Sequence, residues 1–283
     1  MGGRGIQSLI QDLRFGFRQL TKSPGFTLTA IISLALGIGA TSAVFSVVHA
    51  VLLDPYPYAN SNRMVHFLAS TKTVPDWWIV FTGPQFQKLR ESTLVEDMAA
   101  FEGESTTTTG ELPEDLHATL VTGNAFNFFG VPPLLGRGLV PSDAPEGADL
   151  EPVAVLGYKF WQRHYNGERD VVGKTIQLAH KTYAIVGVAQ PRFSWNDGDV
   201  YLPTKLSADP SRTIAIITRL KLGVTHAAID AQLQPVFAEF AKEAPRYFPP
   251  DDFRVTARGL KEHFVRRLGP TLYLLLGSVA LLC

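Results

Sequence analysis

FTLTAIISLALGIGATSAVFSVVHAVLL, Phe26 to Leu53, contains no Asp, Glu, Lys or Arg. A hydrocarbon core about 30 Å thick is crossed by roughly 20 apolar residues in a helix. The stretch exceeds that length, so it predicts a transmembrane helix over residues 26–53. Its polar side chains are mostly Ser and Thr, whose hydroxyls bond back to helix carbonyls. A cleaved signal peptide is the bland alternative, but its apolar region spans only about 7–15 residues before a small-residue cleavage site. This run is longer and no A-x-A site ends it.

The flanks set an orientation. Arg4, Arg14, Arg18 and Lys22 precede the span against one acid, Asp12, whereas no Lys or Arg follows it until Arg63. The positive-inside rule then places the N-terminus in the cytoplasm and the chain after Leu53 outside a bacterial inner membrane. Tyr56 and Tyr58 fit an outer interfacial belt, and Phe15, Phe17 and Phe26 an inner one. Within residues 1–25, Ile6, Leu9, Ile10, Leu13, Phe17 and Leu20 recur at helical spacing. They predict a cytoplasmic amphipathic helix at the inner interface, with Arg14, Arg18 and Lys22 as basic anchors to the lipid bilayer. A cytoplasmic helix packed on a partner protein is the alternative. Lys22-Ser23-Pro24-Gly25 is expected to break that helix and turn the chain into the membrane.

Small residues lie four apart within the span: Ser33 with Gly37, and Ala35 with Gly39 and Ala43. Such stripes let helices approach closely where lipid provides no hydrophobic drive for association. At the other end, residues 268–283 contain the uncharged run GPTLYLLLGSVALLC, too short to cross a bilayer. It predicts the start of a second membrane helix with Pro270 in its first turn, cut partway in a fragment of a longer protein.

Residues 54–267 carry nearly all the charge, netting about −3 against about +3 before the span. They are expected to form the extracytoplasmic α+β core domain, as one body or two lobes. Strands are predicted at Leu116–Thr122, Pro152–Leu156, Thr175–Leu178, Tyr183–Val188 and Thr213–Leu222. His180-Lys181 is expected to turn a hairpin. Helices are predicted at Pro84–Ser92, Ala125–Phe129, Tyr158–Tyr165 and His226–Lys242, the last capped by Thr225. Val140–Pro152 and Gln190–Asp209 read as long loops.

Chemical motifs are sparse. Gly173-Lys174-Thr175 imitates the end of a P-loop, but Glu168 stands where the required glycine belongs and a strand, not a helix, follows. His66, His117, His164, His180, His226 and His263 show no metal-ligand spacing and read as surface histidines. No G-x-S-x-G occurs, and Glu114-Asp115 and Asp251-Asp252 read as solvated turns. Trp77-Trp78 reads as a packing pair and Thr106–Thr109 as a polar strand. The single Cys283 precludes a disulfide framework within the chain. No basic patch interleaves with aromatics, which argues against nucleic acid. No catalytic, cofactor or metal residues are assigned.

The ordered segments QDLRFGFRQLTKSPGFTLTAIISLALGIGATSAVFSVVHAVLL, Val121-Thr122-Gly123-Asn124 through Phe128-Phe129, Leu135-Gly136-Arg137 and Phe160-Trp161-Gln162-Arg163 carry a resemblance. Val171-Val172-Gly173-Lys174, Ile185-Val186-Gly187-Val188 and Arg219-Leu220-Lys221 extend it. Together they resemble the MacB/FtsX class of ABC transporter permeases, and more narrowly the acidobacterial duplicated permeases, with a MacB-like periplasmic core. The resemblance implies one membrane helix, an outer domain and three further helices, which this chain lacks. It further implies a second permease half or homodimer partner and a separate P-loop ATPase subunit that binds the ATP. It admits a periplasmic partner protein, and it implies efflux or mechanotransmission as the activity. A membrane-anchored sensor or scaffold with an outer ligand-binding domain is the competing architecture, and a membrane-anchored enzyme a third.

Overall fold

The computed structural model describes residues 18, 21–48, 58–74, 76–109, 113–145, 147–193, 195–243, 248, 253–260, 262, 274 and 277. By its packing the chain divides into two compact units, Met1–Pro55 with Phe264–Cys283, and Tyr56–His263.

In the first unit, α1 (Pro24–Val48) is apolar all round. Of it, Pro24–Ser46 is long and apolar enough to cross a membrane, and none of its most apolar window is buried in the protein. Its hydroxyls turn inward as the sequence predicts: Thr29, Thr41 and Ser46 donate to the carbonyls of Gly25, Gly37 and Ser42 at 2.8–2.9 Å. In an apolar solvent each hydroxyl needs such a partner. The break expected at Lys22-Ser23-Pro24-Gly25 narrows to Ser23: Lys22 before it and Pro24 and Gly25 after it are helical, and the Ser23 carbonyl accepts from the Thr27 amide. Proline at the first helical position loses no bond, because that N–H has no intrahelical partner anyway.

The second unit is built on one mixed sheet. Its strands are β1 (Met64–Ser70), β2 (Trp77–Trp78), β3 (Val95–Thr107), β4 (Asp115–Thr122), β5 (Leu135–Gly136) and β6 (Val153–Leu156). They continue as β7 (Thr175–Leu178), β8 (Lys181–Val188), β9 (Val200–Thr204), β10 (Ala215–Leu220) and β11 (Arg254–Gly259). The order is β11-β1-β10-β3-β4-β9-β6-β8-β5, with β2 on β1 and β7 on β8. The helices are α2 (Gly83–Arg90), α3 (Ala125–Phe129), α4 (Tyr158–Tyr165) and α5 (His226–Glu243). The pairs β4–β9 and β6–β8 are parallel. The connection from β6 through α4 to β8 is the βαβ kind that parallel pairing requires.

Both faces of this sheet are buried. Ile216 and Ala100 join a cluster under α2 and α5, with Phe67, Phe81 and Phe237 at its centre. Their neighbours Ile217 and Ala99 point the other way, into a cluster of Phe101, Phe129, Phe193, Trp195 and Tyr201. A third cluster gathers Ala118, Leu202 and Ile185 against Phe160 and Trp161 of α4. This is why β1 and β9 escape an alternation search: a strand covered on both sides reads as a continuous apolar run.

Strands β1, β2, β5, β9 and β11 are absent from the sequence reading, and of β3 only its end at Thr106 and Thr107 falls within the predicted polar strand. The Gln190–Asp209 stretch is not a plain loop, because β9 crosses it. Pro203 is in register with Val121 of β4, but β6 pairs only with Val200 and Tyr201, so Pro203 faces no ladder partner on the β6 side. The β7–β8 turn is Ala179-His180, both at positive φ, and Lys181 already belongs to β8. Tyr58 is not an interfacial anchor; it is buried in the domain, 4.6 Å from the Phe129 ring. His66 is not a surface histidine: it is fully buried and stacks on Trp78 at 4.4 Å. Glu114 and Asp115 are not simply solvated, since Glu114 pairs with Arg163 at 2.8 Å and Asp115 accepts from Thr107. Tyr56, Asp251, Asp252 and His263 lie outside the described residues. The expected caps hold: Thr225 accepts from the Ala228 amide at 3.2 Å, starting α5.

Two polar devices close the unit. The β11 edge is covered by α5, whose Asp230 carboxylate accepts from the Ala257 amide at 2.6 Å while Gln234 donates to the Val255 carbonyl. An edge with open N–H and C=O groups would otherwise recruit another chain. At the start of β3, Glu96 pairs with Arg63 before β1 and with Arg219 of β10. Arg219 also donates to the Phe128 carbonyl and lies 4.7 Å over the Phe128 ring, fastening α3 to the sheet.

Asp230→Ala leaves the Ala257 amide without its partner and is expected to cost about 1–3 kcal/mol, read as a lower melting temperature of the full chain in detergent. The Arg63 hydrogen bond, aided by attraction to Arg63 and Arg219 and opposed by desolvation, holds the Glu96 carboxyl below its ordinary 4.5. Stability from a carboxyl held low in the fold is complete above that ordinary value and is lost as pH falls through the folded one. Melting curves of the wild type and Glu96→Gln are therefore expected to differ at pH 7 and to converge in acid below about pH 4.5; a gap that stays constant with pH would show that the pair contributes nothing.

Candidate functional site

Among the residues predicted to matter in the membrane, α1 separates the two small-residue stripes. Ser33 and Gly37 line a recess of about 510 Å³ together with Ala30, Leu34 and Thr41. Gly37 is half-buried. Ala35, Gly39 and Ala43 lie outside that recess and are exposed, and a Cβ added at Gly39 would meet nothing within 4 Å. The structure thus brings one predicted stripe onto a concave face and leaves the other open. Arg18 and Lys22 are exposed; Arg14 lies outside the described residues.

In the folded domain one concave feature is a groove where α2, the ends of β4 and β9 and the loop after β5 meet. Its volume is about 530 Å³. Its floor includes the Thr122-Gly123-Asn124 turn between β4 and α3. Asn124 is fully engaged there: its amide nitrogen donates to Asp97 at 3.2 Å and to the Met98 carbonyl at 2.9 Å, and its oxygen accepts from Thr122 at 2.8 Å. Thr122 in turn accepts from the Ala100 amide at 3.2 Å. The turn is thereby locked to the neighbouring strand β3.

Gly123 is required by close approach, because a Cβ there would come within 2.7 Å of the Val140 carbonyl. The loop that presses on it is itself braced. The Asp143 carboxylate, almost wholly buried, takes both Arg137 terminal nitrogens at 2.7 and 2.9 Å and the Val140 amide at 2.9 Å. Such a two-pronged ion pair fixes direction as well as distance. It accounts for the Leu135-Gly136-Arg137 motif: Gly187 lets β5 lie against β8, since a Cβ there would meet the Arg137 carbonyl at 2.1 Å. The part of the predicted Val140–Pro152 loop from Val140 to Pro145 is therefore a braced wall, with a 3₁₀ turn at Pro141–Asp143.

Elsewhere the chemistry-bearing residues are occupied with one another. Lys174 bonds Glu168 and Asp170, both at 3.1 Å, and leads into β7, so the Gly173-Lys174-Thr175 triplet opens a hairpin as its sequence context predicts. Arg163 bridges Glu114 and Asp199, and His164 reaches Glu114 at 3.3 Å. Tyr201 is buried, donates to the Trp195 carbonyl and has its hydroxyl proton held firmly by that burial. Among the described residues, no group of three His, Cys, Asp or Glu side chains is arranged to hold a metal. The groove residues Arg90, Gln87 and Lys205 were missed by sequence reasoning. They come from separate elements, and no motif links them.

Comparison with known proteins follows this architecture. The family described as the MacB-like periplasmic core domain matches residues 27–236. The match runs from within α1 through most of α5. The crystal structure of the periplasmic region of MacB from Actinobacillus actinomycetemcomitans is similar with a TM-score of 0.55 at 12% identity, covering 74% of this chain and 94% of that one. A permease-protein domain from Porphyromonas gingivalis has a TM-score of 0.48 at 15% identity, covering 72% of this chain and 92% of that one. The extracellular domain of the noncanonic ABC-type transporter YknZ from Gram-positive bacteria has a TM-score of 0.48 at 13% identity, covering 68% and 98%. A search of curated proteins returned no match. With an apolar helix leading into a mixed α+β domain of this kind, the chain belongs to the family of ABC transporter permeases that carry a MacB-like periplasmic core domain.

Proposed function

We propose that this chain is the permease subunit of a MacB/FtsX-type ABC transporter. In this reading a separate P-loop ATPase binds and hydrolyses ATP on the cytoplasmic side, and the membrane helices relay its closure to the extracytoplasmic domain. The observation that carries the reading is the continuity of the family match, which includes both the apolar helix and the outer domain rather than the domain alone. The basic residues before α1 support a cytoplasmic N-terminus. The recess along Ser33 and Gly37 supports a packed helix, with a second permease half or an identical partner completing the assembly. Ala35, Gly39 and Ala43 offer a second small-residue face for such a partner.

The domain is suited to receive a push. A sheet packed on both faces transmits displacement with little internal loss, because close-packed interiors are poorly compressible. Efflux of a bound compound and mechanical activation of a periplasmic partner use the same stroke, and they differ in what occupies the outer domain. A sensor or scaffold with this outer domain would need no ATPase, so an ATPase assay separates the two.

Co-purification of the full-length protein from native membranes is expected to retain a stoichiometric P-loop ATPase whose hydrolysis rate changes with the permease. Gly37→Leu fills the half-buried face of α1 and is expected to lower permease-dependent ATPase stimulation severalfold while leaving the ATPase subunit's own rate unchanged. Full stimulation in that variant would remove the close-packed role of this face; absence of any associated ATPase would remove the permease reading itself.

A further inference from the structure

Helix α5 carries a proline in its interior: Pro235 lies near the middle of His226–Glu243, with helix on both sides of it. Proline is the most costly residue at such a position, because it has no N–H to donate one turn back and its ring crowds the carbonyl there. The carbonyl left without that donor belongs to Ala231, and both residues lie on the exposed face of the helix. The polar ties of α5 all come before this point. Thr225 caps its start. Asp230 accepts from the Ala257 amide at 2.6 Å, and Gln234 donates to the Val255 carbonyl. Gln232 accepts from the Ser92 hydroxyl at 2.8 Å and donates to the Thr93 hydroxyl at 3.3 Å.

After Pro235 the fastening is apolar. Phe237, Phe240 and Ala241 are buried in the cluster that contains Phe67 and Phe81. The Phe237 ring lies 5.4 Å from that of Phe67 and 6.2 Å from that of Phe81. Glu239, Lys242 and Glu243 are exposed, and among the described residues they make no ion pair or side-chain hydrogen bond. A recess of about 330 Å³ adjoins this half: Glu239, Phe240 and Glu243 line it together with Thr82, Gln85 and Lys88 at α2, and no described residue of α5 before Pro235 does. Apolar contact is non-directional and tolerates a tilt. The hydrogen bonds of the first half instead fix it against β11 and the Ser92-Thr93 turn.

We infer that Pro235 is a hinge, about which Val236–Glu243 undocks as one unit while His226–Gln234 stays clamped to β11. The movement lifts Phe237 and Phe240 out of the cluster and bares the Phe81 ring that they cover. Local opening draws on the parts of a fold with the fewest ties, and the missing hydrogen bond at Pro235 uncouples the last two turns from the clamped ones. The inference concerns the outer domain alone and is independent of coupling to an ATPase.

The test is hydrogen–deuterium exchange of the full chain in nanodiscs, without nucleotide, read on overlapping peptic peptides. The amides of Phe237–Glu243 are expected to exchange as a group, at least about tenfold faster than those of Ile229–Gln234. Pro235→Ala gives the Ala231 carbonyl its donor back. It is expected to slow the second half at least about threefold and to leave the first half unchanged. The Gln232→Ala/Gln234→Ala variant removes two ties from the first half and is expected to raise its exchange towards that of the second, which keeps its own rate. Equal rates in the two halves of the wild type would overturn the inference. So would a gradient climbing towards Glu243 that Pro235→Ala leaves as it is, since that is ordinary fraying of a helix end. An unaltered first half in the double variant would remove the clamp that a hinge requires and overturn it as well.

Discussion

Alternating side chains along β3 and β10 must satisfy two cores at once, and the domain is organised around that demand. Ala99 and Ile217 face one aromatic cluster while Ala100 and Ile216 face another. The register Ile216↔Ala100 and Ile217↔Ala99 keeps each pair on its own side. A slip of β3 by one residue would exchange the two sets, carrying Phe101 towards the core that Met98 and Ala100 serve and Met98 towards the other. The thirteen-residue β3 then continues past β10 to pair with β4, joining the half of the sheet under α2 and α5 to the half under α4.

Burial on both faces leaves few places for charge, and the charges present are used as fasteners. Arg219 is nearly buried, yet it meets Glu96, the Phe128 carbonyl and the Phe128 ring together. Its charge and its terminal nitrogens are met by these contacts, while its buried Nε–H has no hydrogen-bond partner among the described residues. Asp143 does the same for the loop after β5. These ties sit at strand ends and loops, where apolar packing is thinnest.

The apolar helix follows a different rule. Its hydroxyls close onto its own carbonyls, and its leucines and isoleucines are exposed, with Leu34 and Leu36 at 67%. A surface of that kind is stable only in an apolar solvent, which makes the chain a membrane protein with an extracytoplasmic domain attached. In the transport reading, the small-residue face carrying Gly37 is the feature by which one helix would feel another move.

The sequence alone determined whatever depends on local pattern. The span, the α+β class, the hairpin of β7 and β8, helices α3 and α4, and the Thr225 cap are all legible because each is set by neighbours within a few residues. The family motifs were legible too, and each finds a local reason: Gly123 for a close loop, Arg137 for Asp143, Gly187 for β5. Tertiary structure decided what depends on distant partners. β3 contains acids, alanines and a glycine that weigh against a strand, and it exists because β10 and β4 flank it. β9 lies in a stretch rich in loop formers, and Pro203 survives there only because of where β6 stops. Tyr58 and His66 entered the core because aromatic surfaces were waiting for them. The groove lined by Gln87, Arg90 and Lys205 belongs to the same class, since residues more than a hundred positions apart line one recess only when the sheet brings their elements together.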